Sequence, residues 1–154
     1  MFTHMPNGRV LQIVSVVNFL LLFPLMAADL TIYYNYSDTR CAKESNVTGV
    51  DLLHWLKIDG YTKLAVVAML VFFNLAAREI TNHRILVVSE GLILILYYMF
   101  LFGWLVTAAV IFWGDAYPKG HCNNEFGHYI WAALIIGFVS VPVGIFFALM
   151  RGGE

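Results

Sequence analysis

The fold predicted by the sequence is an all-α membrane protein, an antiparallel four-transmembrane-helix bundle, and three observations predict it. Hydrophobic residues make up 60% of the 154 and charged residues only 12%, where soluble domains run at roughly one half and one quarter. Four stretches are apolar enough to cross a bilayer, whose hydrocarbon is about 30 Å thick and takes about 20 residues to span. The few charges gather at the ends of those stretches and in the segments between them. A soluble domain of about 150 residues would still expose roughly 30% of its unfolded-chain surface. With a mean hydropathy of +0.75 there is too little polar surface to cover that area. A soluble enzyme and a disordered tail are therefore excluded, and the net charge of −1 excludes a basic nucleic-acid binder.

The first span covers residues 10–28 and stops at Asp29. Arg9 before it and Met26-Ala27-Ala28-Asp29 after it give it a faint likeness to a cleaved signal peptide. Its apolar run is longer than the usual 7–15 residues of such a leader and contains Asn18 and Pro24, so it is read as a retained helix. The second span covers residues 61–77 and is closed by Arg78 and Glu79. Its core is short, so it recruits Tyr61 and the stem of Lys63, whose ammonium snorkels to the surface. The third, residues 91–113, carries no charge, and the fourth, residues 129–150, ends at Arg151. The chain then forms a single four-helix domain with outer loops at residues 29–60 and 114–128. Both termini lie together in the cytosol.

Three features bear on orientation. The first outer loop holds two N-glycosylation acceptors, at Asn35 and Asn46, and no other Asn has the pattern. Cys41 in that loop and Cys122 in the second fall on one face, where an oxidising compartment favours a disulfide; two unrelated free thiols are the alternative. Such a bond would close roughly 80 residues of chain, worth a few kcal/mol in the loop-entropy model. Charge is equivocal. Arg9, Arg78, Arg84 and Arg151 sit close to the span ends on the side assigned to the cytosol. Arg40, Lys43, Lys57, Lys63 and Lys119 on the outer side are more numerous but lie mostly in the long loop, so the bias near span ends only mildly favours cytosolic termini. These features place the chain in the secretory pathway and the plasma membrane. A mitochondrial location would make both acceptors incidental.

Residues 50–58 read as an amphipathic approach to the second span, with Trp55 and Tyr61 at the interface and Gly60 permitting a bend. Trp104, Trp113 and Trp131 fit an aromatic belt near the outer ends of spans three and four. Phe23-Pro24, Cys41 and Trp55-Leu56-Lys57-Ile58-Asp59-Gly60 follow in order, then Gly103-Trp104, Pro118, Cys122 and Tyr129-Ile130-Trp131. That succession is similar to the four-pass family called transmembrane-protein-272-like, over most of residues 20–135. The resemblance implies a four-helix membrane protein with paired outer cysteines and no particular activity. The chain lacks the Gly-Leu-Trp…Cys…Cys loop of claudins and the Cys-Cys-Gly of tetraspanins.

Polar groups inside spans are costly in hydrocarbon and mark functional candidates. Gln12, Ser15 and Asn18 are spaced three apart on one face of the first helix, as a pore stripe or as interhelical hydrogen-bonding groups. Asn74 in the second span is ambiguous in the same way. No ionisable residue is expected near the middle of any span, which argues against catalysis or proton coupling in the membrane. Glu90 is expected to make a solvated interfacial ion pair with Arg84 and Arg78. His54, His121 and His128 match no zinc spacing and are read as solvated loop residues, so no metal and no cofactor is expected. Ser140, Gly144 and Ala148 recur every four residues behind Ala133 and Gly137, a small-residue face for close helix packing within the bundle or between subunits. Pro142 adds a kink, and Tyr97, Tyr98, Met99, Phe100 and Phe102 pack against helices and lipid.

The function expected is that of a non-enzymatic accessory or structural subunit. Its partners are membrane lipids and other membrane-protein subunits, or further copies of itself. The alternative is an oligomeric pore with the first helix around the lumen, an analogy of layout alone.

Overall fold

In the computed structural model, which describes residues 7–43, 49–79 and 83–152, four long helices run up and down. They are α1 (Asn7–Asn35), α2 (Leu52–Glu79), α3 (His83–Ala109) and α4 (Glu125–Gly152), with a π-helical segment, Val110–Ala116, prolonging α3. All four are long and apolar enough to cross a membrane, through Ser15–Asn35, Leu52–Ala76, Val88–Ala116 and Glu125–Leu149, and no strand occurs among the described residues. The helices pair mainly as α1 with α2 and α3 with α4, and α2 meets α3.

The helices are longer than their apolar runs, and several boundaries expected from the sequence move. Asp29 does not end α1, which continues through Leu30, Thr31, Ile32, Tyr33 and Tyr34 to Asn35. The amphipathic stretch before the second span is the start of α2 itself, capped by Asp51, whose carboxylate accepts the His54 backbone N–H at 2.6 Å. Gly60 therefore lies within α2 and makes no bend. Its missing Cβ is what matters, because one built there would lie 2.9 Å from the Leu30 side chain and 3.3 Å from Asp29 Cβ, so α1 could not come so close. The third span runs on past Trp113 through a widened turn, in which the Tyr117 N–H reaches the Phe112 carbonyl at 2.8 Å. Asn124 caps α4 by accepting the Gly127 N–H at 2.8 Å, so that helix starts four residues before Tyr129. The two connections at this end of the bundle thus shrink to residues 36–51 and 117–124.

The core joins both pairs of helices. Trp55 is fully buried, not interfacial as its flank suggested, and packs with Leu52, Leu56, Phe112, Phe126 and Ile130 near the loop end. Outward, Leu20, Phe72, Leu96, Met99 and Val139 are well exposed, the pattern expected when the solvent is lipid. Trp113 and Trp131 also face outward, whereas Trp104 is half-buried. Hydroxyls along the helices satisfy themselves on their own turns: Thr31 donates to the Ala27 carbonyl at 2.7 Å and Thr62 to that of Ile58 at 2.7 Å. The small-residue face of α4 packs on α3 within the chain. A Cβ at Gly144 would lie 2.1 Å from the Tyr98 ring, and one at Gly137 would lie 2.5 Å from Leu105. Ala148 is buried on the same face, and Ser140 donates to the Gly137 carbonyl at 2.8 Å.

Candidate functional site inside the bundle

The main departure from the sequence reading is a cluster of charges within the helices. Asp29 lies six residues from the end of α1, which at 1.5 Å per residue places it about 9 Å into the bundle. Opposite, Asp59 and Lys63 stand four apart on one face of α2, a spacing that stacks their side chains. Side chains on a helix tilt towards its N-terminus. In this antiparallel pair Lys63 therefore leans towards the loop end while Asp29 leans away from it, and the two meet. Lys63 Nζ donates to Asp29 Oδ2 at 2.5 Å and to Asp59 Oδ2 at 2.5 Å. From α4, the Tyr129 hydroxyl donates to Asp29 Oδ1 at 2.5 Å. The side chains of Asp29, Asp59 and Lys63 are 1%, 3% and 8% exposed. Lys63 does not snorkel to the surface.

A charge buried away from water is tolerated when it is paired and hydrogen-bonded. Here one ammonium serves two carboxylates, so the cluster keeps a formal charge of −1 when all three groups are ionised. Beside it lies a cavity of about 60 Å³, lined by the three charged residues together with Tyr98, Ser140 and apolar side chains from α1, α3 and α4. The hydroxyl of Tyr98, which lines that cavity, donates to Asn18 Oδ1 at 2.8 Å. Towards the opposite end of the bundle, Ser15 Oγ donates to Glu90 Oε1 at 2.7 Å. Glu90 is 1% exposed, so it is buried and not solvated as expected, and it takes Ser15 of α1 as one partner. The side chains of Arg78, Arg84 and Gln12 lie outside the described residues. Polar groups therefore follow one another along the bundle, from Tyr129 and Asp29 through Lys63, Asp59, Tyr98 and Asn18 to Ser15 and Glu90.

The other sequence candidates distribute as follows. Cys41 and Cys122 form a disulfide with their α-carbons 4.9 Å apart, joining the two connections at the loop end. Gly127 approaches this bridge so closely that a Cβ there would meet the Cys122 carbonyl oxygen at 1.8 Å. Asn35 is exposed at the last residue of α1, and Asn46 lies outside the described residues. His54 is exposed and its ring contacts the Asp51 carboxylate at 2.9 Å. Among the described residues no three His, Cys, Asp or Glu side chains group to hold a metal ion. Asn74 donates to the Leu70 carbonyl of its own helix at 3.1 Å and lines a groove between α1 and α2 with Ser15 and Phe19. Near the loop end the Tyr36 hydroxyl pairs with the Glu125 carboxylate, and that contact raises the tyrosine's pKa above its usual value.

Sequence reasoning does not bring Asp29, Asp59, Lys63 and Tyr129 into one site, because hydropathy reads a charge as the end of a span. Two features were available to find it. The chain stays apolar for several residues past Asp29, and Asp59 and Lys63 share a helical face. No family model, curated protein or solved structure matches the chain.

Proposed function

We propose that the chain is a non-enzymatic four-pass membrane protein that serves as an accessory or structural subunit, associating laterally with a larger membrane protein or with further copies. The observation that supports this reading is the inward turn of the polar groups. Ser15 and Asn18 are engaged with Glu90 and Tyr98 inside their own bundle, which leaves the outer faces of the helices apolar. An assembled pore with α1 around its lumen would have to pull Ser15 and Asn18 away from those partners. The interior cavity of about 60 Å³ is far smaller than the roughly 300–1,000 Å³ of small-molecule sites.

The same proposal places the disulfide-bonded end outside the cell or in the secretory lumen, both termini in the cytosol and the protein in the plasma membrane. Asn35 and Asn46 then carry glycans, and the resemblance to the transmembrane-protein-272-like family belongs with this reading. Purification in mild detergent tests it. The expected result is a complex larger than one chain and no current from the purified protein in planar bilayers. A solitary monomer, or ion conduction by the chain alone that changes in Asn18→Leu, would count against it.

A further inference from the structure

We propose that the Asp29–Lys63–Asp59 cluster is a buried proton-binding site, in which one exchangeable proton is shared by the two carboxylates and the adjoining cavity holds the water that delivers it. The inference is independent of the accessory-subunit reading.

Charge and geometry carry the argument. Within the candidate spans, two carboxylates converge on one ammonium at 2.5 Å each, and neither has appreciable contact with the exterior. With no further cation the cluster bears −1, and an unbalanced charge in a medium of low dielectric costs several kcal/mol even after relaxation. One proton on either carboxylate makes it neutral: a carboxylic acid, a carboxylate and an ammonium. Balance is simple, since hydronium gives a proton to the carboxylate and leaves as water. The two carboxylates then titrate as a pair.

Every helix contributes a group that faces the cluster. Asp29 comes from α1, Asp59 and Lys63 from α2, Tyr97 and Tyr98 from α3, and Tyr129 from α4. None of the tyrosines supplies a positive charge, so Lys63 is the one cation facing the carboxylates among the described residues. The Tyr97 hydroxyl, on a residue only 5% exposed, has no hydrogen-bond partner among the described residues and lies within electrostatic reach of Asp59 and Asp29. The cavity is roomy and polar enough for water: it measures about 60 Å³ against the roughly 10–15 Å³ that one water needs, and five of its lining side chains are polar or charged (Asp29, Asp59, Lys63, Tyr98 and Ser140). Tyr129, which donates to Asp29, is itself half-buried and so links the cluster to a partly exposed residue.

Infrared spectroscopy of the full-length protein in liposomes, with the aspartate carboxyls isotopically labelled, tests the site. Asp38, Asp51 and Asp115 are at least partly exposed and lie apart from the cluster, and the expected wild-type spectrum shows one protonated aspartate per chain at pH 7, shifting in heavy water. Asp29→Asn and Asp59→Asn each leave one carboxylate against one ammonium, and in both the protonated band is lost. A wild-type spectrum with only ionised aspartates at pH 7 overturns the proposal, whether or not the variants fold. So does retention of the full band in both variants. Repeating the wild-type measurement with sodium and with choline as the bulk cation tests for a metal cation in the proton's place. A band that appears only in choline overturns the proposal in favour of sodium binding, and an equal band in both supports it.

Discussion

Trp55 on α2 and Trp104 on α3 each donate an indole N–H to the other's backbone carbonyl, at 2.8 Å and 3.2 Å. The two helices are thereby pinned at one height. Each carbonyl already belongs to a helix, so the indoles use its second lone pair and no backbone bond need break.

Replacing either tryptophan tests this reciprocal pair. Trp104→Phe removes one donor and keeps an aromatic ring, and is expected to cost about 0.5–1.5 kcal/mol. Trp55→Phe costs more, because Trp55 is fully buried and leaves a gap. The double variant should cost less than the sum, and thermal unfolding in one detergent reads the difference.

The charge cluster predicts an asymmetry between its members. Lys63→Met strands two carboxylates inside the bundle and should destabilise by about 3–5 kcal/mol. Asp29→Asn or Asp59→Asn leaves one carboxylate against one ammonium and should be tolerated far better. Combining Lys63→Met with both asparagine changes leaves no charge and should recover most of the loss. Unfolding midpoints of the purified variants rank the series, and a Lys63→Met protein as stable as the Asn variants would contradict the observed pairing.

Glycines of one helix pair make opposite predictions. At Gly144 a Cβ would lie 2.1 Å from the Tyr98 ring, so Gly144→Ala must push the ring or the helix aside and should cost about 1–3 kcal/mol. At Gly103 nothing lies within 4 Å of an added Cβ, and Gly103→Ala should be neutral or stabilise by up to about 1 kcal/mol. Measured together, the two separate a packing glycine from a merely permissive one.

Reduction or Cys122→Ser is expected to cost about 2–5 kcal/mol, since the bridge spans 81 residues of sequence. The measurement is the shift in unfolding midpoint with and without reductant. Non-reducing electrophoresis should show the compact wild-type chain running ahead of the variant.

The spans and the cysteine pairing were legible because they depend on coarse quantities. Apolar length locates a helix to within a turn or two, and four helices put residues 41 and 122 at one end whatever the detail. The charge cluster was not legible by the same rule. Hydropathy treats Asp29 as a stop, yet an antiparallel neighbour presenting Lys63 at the same height makes its burial tolerable, and that height depends on where α2 begins. Asp51, a capping residue, sets that start nine residues before the expected one at Tyr61. Small residues every four positions in α4 announced a close contact but not its partner, since only the register against α3 brings Tyr98 over Gly144.

The disulfide ties the bundle at one end alone. Near it lie the paired tryptophans, the charge cluster and the approach of Gly127 to Cys122, so the four helices are linked there by a covalent bridge, by ion pairs between α1 and α2, and by hydrogen bonds to α3 and α4. Farther from it lie the Ser15–Glu90 contact and a groove of about 410 Å³ between α1 and α2, bordered by Ser15, Phe19 and Asn74. Because the bridge joins the two connections covalently, the α1–α2 and α3–α4 pairs cannot come apart at the loop end under lateral pressure or a change of bilayer thickness unless a bond breaks.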